Sequence, residues 1–350
     1  MRAWEKNFRA VEPYTPGEQP QRKVIKLNTN ENPYPPSPAV KEVLKNMDME
    51  AFRKYPDPNA GRLVNAIAEY YGIPSDRVFV GVGSDDVLGM AFLTFFNGPD
   101  PVLFPNITYS FYDVWAELFR VPYETQALDE NFEIRPADYR KKNGGIVIAN
   151  PNAPTGVMLP LEKIEEIVKN NQESVVIIDE AYVDFGGVSA LPLTEKYENL
   201  LVVQTFSKSR AFAGVRIGFA MGHPDLIRAL NNVKNSYNSY TLSTPSILLG
   251  EAAVKDRAYF EETCAKVVAT RERVKKELSA LGFTFGDSRS NFIFAKREGT
   301  DAEALFEALK KADIFVRYFK KPLISDYLRI SIGTDGEMDT FLAFLKDYLN

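Results

Sequence analysis

Three side chains near the middle of the chain have the types and spacing that carbonyl chemistry requires. Lys208 follows an apolar, β-branched run at 200–203, which is typical of a buried strand in a parallel sheet. Ligands bind at the carboxyl ends of such strands, and a lysine beside apolar surface can lose its proton and attack a carbonyl. The hydroxyl of Ser207 and the guanidinium of Arg216 could bind a phosphate next to it. A phosphate-bearing aldehyde such as pyridoxal phosphate is therefore one candidate ligand, and a solvated loop lysine is the alternative.

Two further strand-end motifs lie upstream of this lysine. Residues 174–178 are typical of a buried strand that leads into Asp179, and residues 146–149 of another that leads into Asn-Pro-Asn-Ala-Pro-Thr-Gly at 150–156. The Asp179 carboxylate could pair with a protonated pyridine nitrogen, and the Tyr182 phenol could hydrogen-bond the oxygen of the same ring. Three such motifs in chain order resemble the fold-type I pyridoxal phosphate enzymes, and specifically the aminotransferases.

The resemblance covers nearly the whole chain and implies a fold of the α/β class. It implies a large, mostly parallel α/β/α sheet domain that binds pyridoxal 5'-phosphate, together with a smaller α+β domain. A chain of 350 residues is also long for a single core, so two domains that share a cleft are expected. We predict an N-terminal arm at 1–36 that packs with the small domain, the large domain at 37–243 and the small domain at 244–350.

Composition and charge argue against several classes of function. Charged residues make up 25% of the chain, the net charge is −5 and no basic stripe stands out, so no nucleic-acid partner is expected. The first residues are too charged for a signal peptide and no apolar run reaches the length of a membrane span, so we expect a cytoplasmic enzyme with no membrane partner. The single cysteine, Cys264, and the single histidine, His223, argue against disulfides, metal sites and a serine hydrolase triad.

A glycine before a helix predicts a phosphate site. Gly83 ends a predicted strand, and Ser84 and Asp85 begin the next helix, where free backbone N–H groups can bind a phosphate. Glycine is common at such a place, but here it matches the phosphate loop of the aminotransferases, which implies that Gly83, Ser84 and Asp85 contact the cofactor. The resemblance also implies that Tyr109 stacks on the pyridine ring; without it, Tyr109 would be read equally well as a core tyrosine.

The segment at 150–156 departs from the more usual family ending. That ending is Asn-Asn-Pro-Thr-Gly, whose second asparagine donates to the ring oxygen of the cofactor. Ala153 stands in that place here. Either Asn152 makes the contact instead or Tyr182 alone serves the oxygen, and the sequence leaves both open.

Two N-terminal stretches resemble one particular group of aminotransferases. Residues 11–17 and 27–33 are rich in proline and polar groups, which is typical of an arm laid over other structure. Both stretches resemble the start of the histidinol-phosphate aminotransferases, in which a tyrosine and an asparagine approach the substrate. The matching residues are Tyr14 and Asn30.

Two strand arginines are candidates for binding the anions of a substrate. Arg317 and Arg329 are each flanked by apolar residues, where an unpaired guanidinium would be costly if buried, so each is expected to meet an anion or an internal salt-bridge partner. In the same family the counterpart of Arg329 grips the substrate's carboxylate, and that of Arg317 helps to hold its phosphate. Tyr237, in a predicted loop at 237–241, is a further substrate candidate.

The resemblance implies transamination of L-histidinol phosphate with 2-oxoglutarate, which gives imidazole acetol phosphate and L-glutamate in histidine biosynthesis. Lys208 would bind the cofactor and move the proton, with Asp179 and Tyr182 as the other catalytic groups. In the family a tyrosine that matches Tyr55 crosses a two-fold interface to the phosphate of the neighbouring subunit's cofactor, so a homodimer with shared active sites is expected. By itself, Tyr55 is an ordinary turn residue.

Other functions stay open at this point. A broad aromatic amino acid aminotransferase and a threonine-phosphate decarboxylase share the lysine, the aspartate and the tyrosine. A transcription regulator that senses an effector through an aminotransferase-like domain would need a separate DNA-binding domain. The 36 residues before the first predicted helix are too few and too acidic for one.

Overall fold

A computed structural model describes residues 2–349. Within those residues the α-helices, α1 to α10 in chain order, span Pro38–Lys45, Gly61–Tyr71, Ser84–Phe95, Tyr112–Phe119, Leu161–Lys169, Pro224–Tyr237, Thr244–Lys255, Arg257–Ala280, Ala302–Lys311 and Asp335–Leu349. The β-strands, β1 to β13, span Ile25–Lys26, Val78–Gly81, Val102–Pro105, Tyr123–Gln126, Gly145–Ala149, Val176–Asp179, Leu200–Thr205, Gly218–Gly222, Phe283–Phe285, Phe292–Arg297, Ile314–Phe315, Arg317–Tyr318 and Leu328–Ser331. None of the described helices is long and apolar enough to cross a membrane.

Seven strands form the large sheet in the order β2-β8-β7-β6-β5-β3-β4. Neighbouring strands are parallel except at β8, which runs antiparallel to both β2 and β7. Ile146 and Ile148 of β5 enter the core beneath α2, α5 and α7, whereas Val147 and Ala149 enter the core beneath α3, α4 and α6. Both faces of the sheet are therefore covered by helices, which is why its central strands are apolar throughout.

A second sheet has four antiparallel strands in the order β12-β13-β10-β9. It shares a hydrophobic core with α8, α9 and α10. The stretch at 314–318, which contains the predicted strand residue Arg317, forms two short strands instead of one. Ile314–Phe315 pairs in parallel with Ile25–Lys26 of the arm, whereas Arg317–Tyr318 pairs with β13. The arm supplies the extra partner strand, and a local pattern around residue 314 could not reveal a partner so distant in sequence.

The boundary predicted at residue 244 does not match the packing. Helix α7 contacts α1 and α2, and its residues Ile247, Leu249 and Val254 join the core of the large sheet. The core of the small sheet includes α8 from Phe260 onward. We therefore propose a boundary near residue 256, between α7 and α8.

Besides β1 of the arm, the short strands β4 and β9 also have no counterpart in the sequence prediction. Each lies at the edge of its sheet, and each has exposed residues that weaken the apolar pattern. Helix α6 also includes Tyr237, the residue at which the predicted loop at 237–241 was expected to begin. These differences lie away from the central strands that position the site.

Candidate active site

A cavity of about 510 Å³ lies where the arm and the small sheet meet the carboxyl ends of the central strands. This is the edge at which open α/β sheets bind their ligands. The predicted site residues that line the cavity are Tyr14, Asn30, Ser84, Asp85, Tyr109, Asp179, Tyr182, Ser207, Lys208, Arg216, Arg317 and Arg329. Among the described residues, no group of three or more His, Cys, Asp and Glu side chains could hold a metal ion.

Lys208 lies just beyond β7, and its Nζ donates to the carbonyl oxygen of Thr29 in the arm at 2.9 Å. Burial, and next the positive charge of Arg329, lower the pKa of Lys208 from 10.5 to about 8. Roughly a tenth of such an amine is neutral at pH 7, a far larger fraction than for an ordinary lysine. Since only the neutral amine attacks a carbonyl, the site prepares Lys208 for covalent chemistry.

Asp179 is buried at the end of β6 and has two hydrogen-bond donors. Its Oδ2 accepts from Tyr112 Oη at 2.8 Å, and its Oδ1 accepts from the backbone N–H of Ala181 at 3.2 Å. Burial raises the pKa of Asp179 to about 6, although both hydrogen bonds oppose the rise. At neutral pH the carboxylate is ionised and would be stabilised by a cationic partner. Nothing in the sequence pointed to Tyr112, because it lies in an apolar stretch that is typical of a core helix.

Tyr182 is buried beside the lysine. Its ring centroid lies 5.8 Å from Lys208 Nζ, and its ring packs edge-on against Phe292. Its Oη accepts from Asn30 Nδ2 at 3.0 Å. Burial raises the pKa of Tyr182, while the charge of Arg329 and the hydrogen bond from Asn30 oppose that rise. The phenol therefore keeps its proton and can donate it to a ligand.

A polar cradle lies at the start of α3. Ser84 is the first residue of the helix and follows Gly83, whose φ is +87°. A Cβ at Gly83 would lie 2.6 Å from Arg216 Nη2, so glycine is what lets the guanidinium approach the helix start. Ser207 lines the same cavity. A guanidinium, two hydroxyls and free N–H groups together suit a phosphate.

Asp85 and Tyr109 complete this side of the cavity. Asp85 Oδ2 lies 3.4 Å from Arg216 Nη2, and its Oδ1 accepts from Tyr109 Oη at 2.8 Å. Tyr14 of the arm stacks on Phe111 with ring centroids 4.3 Å apart, and its ring lies 6.5 Å from that of Tyr109. The predicted stacking role of Tyr109 stays a prediction.

Gly218 is a site residue that the sequence analysis missed. It begins β8, and a Cβ there would lie 2.3 Å from the Gly83 carbonyl carbon and the Ser84 nitrogen. We expect Gly218→Ala to lower the free energy of unfolding by about 1–3 kcal/mol, because the cradle backbone would have to move. Thermal unfolding measures the effect. Gly214→Ala is the matched control, because its Cβ would meet nothing within 4 Å; equal melting temperatures for the two variants would contradict this account.

Asn152 is buried but does not line the cavity. Its Nδ2 donates to the Ile107 carbonyl oxygen at 2.9 Å and to Thr155 Oγ1 at 3.0 Å, and its Oδ1 accepts from Thr108 at 2.8 Å. The amide is therefore used to hold its own loop. Of the two alternatives that the sequence left open, this arrangement favours Tyr182 alone at the ring oxygen.

Tyr55 and Tyr237 also lie outside the cavity of the described chain. Tyr55 is 81% exposed and stacks on Tyr240 with ring centroids 4.6 Å apart. Tyr237 ends α6 and is 76% exposed, so the loop predicted from residue 237 begins one residue later and does not bring this side chain to the cavity. The contact of Tyr55 with a neighbouring subunit stays a prediction.

Arg317 and Arg329 reach the cavity from paired strands of the small sheet, where they lie directly opposite each other. Within residues 2–349, neither forms an ion pair. Arg317 donates to the carbonyl oxygens of Thr15 and Pro16 at 3.1 and 3.4 Å. Arg329 donates to that of Asn28 at 2.8 Å, and its buried Nε has no partner. An internal salt bridge therefore does not account for these arginines, and both can bind an anion.

Comparison with known proteins gives the family. The model of the aminotransferase class I and II family matches residues 22–345. The chain belongs to this family. One curated relative is the histidinol-phosphate aminotransferase of Lactococcus lactis subsp. cremoris, which is 51% identical and is aligned over 99% of this chain and 98% of the relative. Another is the histidinol-phosphate aminotransferase of Brachyspira hyodysenteriae, which is 52% identical and is aligned over 97% of this chain and 96% of the relative.

Solved structures agree with the fold of this aminotransferase. The crystal structure of the histidinol-phosphate aminotransferase from Clostridium acetobutylicum has a TM-score of 0.84 at 25% identity and covers 93% of this chain and 99% of that one. The Sinorhizobium meliloti enzyme in complex with pyridoxal-5'-phosphate has a TM-score of 0.85 at 24% identity, with coverage of 94% and 92%. The predicted family and the α/β fold are thus confirmed.

Proposed function

We propose that this aminotransferase transfers the amino group of L-histidinol phosphate to 2-oxoglutarate, with pyridoxal 5'-phosphate as its cofactor. Relatives about half identical over nearly the full chain carry the name of this activity. The observation that carries the proposal is a single cavity that holds Lys208 with a lowered pKa, buried Asp179, and two arginines that form no ion pair with any of residues 2–349.

The residues present fit pyridoxal phosphate. Gly83 and Gly218 leave room for a phosphate cradle at the start of α3, where added Cβ atoms would collide. Ser84, Ser207 and Arg216 would hold the phosphate there. When bound, pyridoxal phosphate joins an amine covalently and withdraws electrons from the substrate's α-carbon.

Other residues of the chain would hold the ring and move the proton. Asp179, oriented by Tyr112, would face the ring nitrogen and favour its protonated form. Tyr182 would donate its proton to the ring oxygen. Lys208, freed by the substrate's amine, would take the proton from the substrate's α-carbon and deliver it to the cofactor's C4′. Its pKa of about 8 suits an amine that must both accept and release a proton near neutral pH.

Attachment of the cofactor should depend on pH through Lys208. Because burial lowers the pKa of this lysine to about 8, the neutral amine increases as pH rises through that value and saturates above it. We expect the rate at which added pyridoxal phosphate attaches to the cofactor-free protein to rise with pH and level off above about pH 8. Absorbance measurements from about pH 6 to 10 test this. A rate that still climbs steeply at pH 10 would show an ordinary lysine pKa.

The two arginines would bind the anions of both substrates. Arg329, with its unpartnered Nε, would grip the carboxylate of glutamate in one half-reaction and the phosphate of histidinol phosphate in the other. Arg317 would complement the second negative charge of the phosphate. Tyr14 lines the cavity on this side and could add a hydroxyl donor.

We also propose a homodimer in which Tyr55 completes the neighbouring subunit's site. Tyr55 is too exposed to serve the cavity of its own chain, and its stacking on Tyr240 holds the ring at the surface. Mixing Lys208→Ala and Tyr55→Phe chains should then give heterodimers with one doubly altered and one intact site. We expect partial recovery of activity on mixing, measured after subunit exchange. Heterodimers without recovery would mean that Tyr55 does not act across an interface.

Donor preference separates the proposed activity from its alternatives. We expect a higher kcat/KM for histidinol phosphate than for phenylalanine or tyrosine, because only the phosphate engages both arginines. Carbon dioxide release from threonine phosphate would instead support the decarboxylase. A preference for the aromatic amino acids would support the broad aromatic aminotransferase. Action in the cytoplasm, without nucleic acid or membrane partners, remains part of the proposal.

A further inference from the structure

Asn30 joins three parts of the chain beside Tyr182. It lies in the arm with a left-handed φ of 56°, which asparagine tolerates better than most residues. Its Nδ2 donates to Tyr182 Oη at 3.0 Å, and its carbonyl oxygen accepts from Asn291 Nδ2 at 2.9 Å. Its backbone N–H donates to the hydroxyl oxygen of Ser331, and its Oδ1 accepts the proton of that hydroxyl. All four residues are buried, so these hydrogen bonds form away from water, where direction matters most.

The hydrogen bonds of Ser331 determine which way each proton points. The backbone N–H of Asn30 can only donate, so the Ser331 oxygen accepts it at 2.9 Å. The Ser331 proton then goes to Asn30 Oδ1 at 2.8 Å. The NH₂ end of the same amide is thereby turned toward Tyr182. Because that nitrogen only donates, the Tyr182 oxygen accepts, and the phenol's own proton stays available for another partner.

We propose that Ser331 is a positioning residue that acts through Asn30: its hydroxyl fixes the amide so that the Tyr182 proton is free to enter the cavity. Ser331 does not itself line the cavity; it lies on β13, two residues beyond Arg329. Without its hydroxyl the amide could turn over and present Oδ1 to Tyr182. The phenol would then donate to Asn30 instead of to a ligand. The inference rests on the proposed function in one respect, namely that Tyr182 faces the cofactor.

Other charged groups around Tyr182 remain in place in every variant of the test. The charges that act on the phenol come from Arg329, Asp179 and Asp85, and Lys208 lies over its ring. If the measured signal changes only when the Ser331 hydroxyl is removed, the change therefore comes from the Asn30 amide and not from a lost charge.

Ser331→Thr and Ser331→Val form the test pair, because the two side chains have nearly the same shape and only threonine has a hydroxyl. The readout is the pH midpoint of the cofactor's absorbance change in the substrate-free holoenzyme. A phenol that donates to the ring oxygen stabilises negative charge there and lowers this midpoint. We expect Ser331→Val to raise it by roughly 0.5–1 unit, the size that one hydrogen bond can contribute. Ser331→Thr should keep the wild-type value, and Ser331→Ala repeats the test if β-branched side chains do not fit.

Two further variants make the assignment specific. Asn30→Gly removes the amide while allowing the left-handed backbone, and adding Ser331→Val to it should cause no further shift, since the serine acts through the amide. Ser288→Ala is the matched control. Ser288 is a buried serine whose hydroxyl donates to the Phe292 carbonyl oxygen at 2.5 Å, with no bond to Asn30, and its loss should leave the midpoint unchanged.

A second readout does not need the cofactor. It is the nuclear magnetic resonance signal of Tyr182 in cofactor-free protein that contains ¹³C-labelled tyrosine, and the Tyr182→Phe variant assigns this signal. We expect its chemical shift to change in Ser331→Val and to stay the same in Ser331→Thr. If the two variants behave alike in both measurements, Ser331 does not position Tyr182. If the nuclear magnetic resonance shift appears but histidinol phosphate is not a substrate, the proposed function fails and the positioning role stands.

Discussion

Replacing Lys208 by alanine is expected to remove the covalently bound cofactor and to lower the transamination rate by at least about 10²–10⁴-fold, the contribution of a positioned acid–base group. Among residues 2–349, Lys208 is the one lysine that lines the cavity, and burial lowers its pKa to about 8. Borohydride reduction followed by peptide mass spectrometry measures the attachment. Wild-type protein should carry the reduced cofactor on the peptide that contains Lys208.

Lys234 offers a matched control for this variant. It is also a buried lysine with a pKa lowered by burial, but its Nζ donates to the Pro58 carbonyl oxygen and it lies outside the cavity. Lys234→Ala should keep both the reducible cofactor and the activity. A Lys208→Ala protein that still fixes the cofactor with borohydride would mean that another lysine is the anchor.

Replacing the two arginines should separate the two half-reactions. Arg329→Ala is expected to slow both, because either the carboxylate or the phosphate must meet this guanidinium. Arg317→Ala should slow the histidinol phosphate half more than the glutamate half, because only a phosphate brings a second negative charge. Each lost charge-assisted contact of roughly 1.5–3 kcal/mol corresponds to about 10- to 150-fold. Single-turnover absorbance measurements on each half-reaction resolve such differences.

Arg297 is the control on the same sheet. It ends β10, and its Nε donates to the Leu281 carbonyl oxygen at 2.9 Å, away from the cavity. Arg297→Ala should leave both half-reactions near the wild-type rates. Equal slowing of the two halves by Arg317→Ala would show that Arg317 does not distinguish phosphate from carboxylate.

The central strands explain why much of the site could be predicted from the sequence. Strands β6 and β7 are apolar, parallel and adjacent, so the residues that follow them must meet at one edge of the sheet. Asp179 is the last residue of β6 and Lys208 lies three residues beyond the end of β7, so both polar side chains come to that edge. The glycine before α3 predicted the polar cradle at the start of that helix in the same way, through a local rule for helix starts; its use for a phosphate stays a prediction.

Contacts between segments that lie far apart in the chain could not be predicted from the sequence. Tyr112 meets Asp179 only because α4 packs beneath the sheet, and Asn30 meets Ser331 across 301 positions of the chain. The packing of α7 against the large sheet likewise follows from its partners α1 and α2 and not from its own pattern. Such pairings depend on the complete fold, whereas strand-end and helix-start rules are local.

Transfer of ¹⁵N from labelled glutamate tests the central claim most directly. The protein, pyridoxal phosphate and [¹⁵N]glutamate are incubated with equal concentrations of imidazole acetol phosphate and phenylpyruvate, and the products are analysed by mass spectrometry. We expect ¹⁵N predominantly in histidinol phosphate, with no carbon dioxide release and no transfer by Lys208→Ala protein. Label that appears mainly in phenylalanine, or in neither product, would contradict the account.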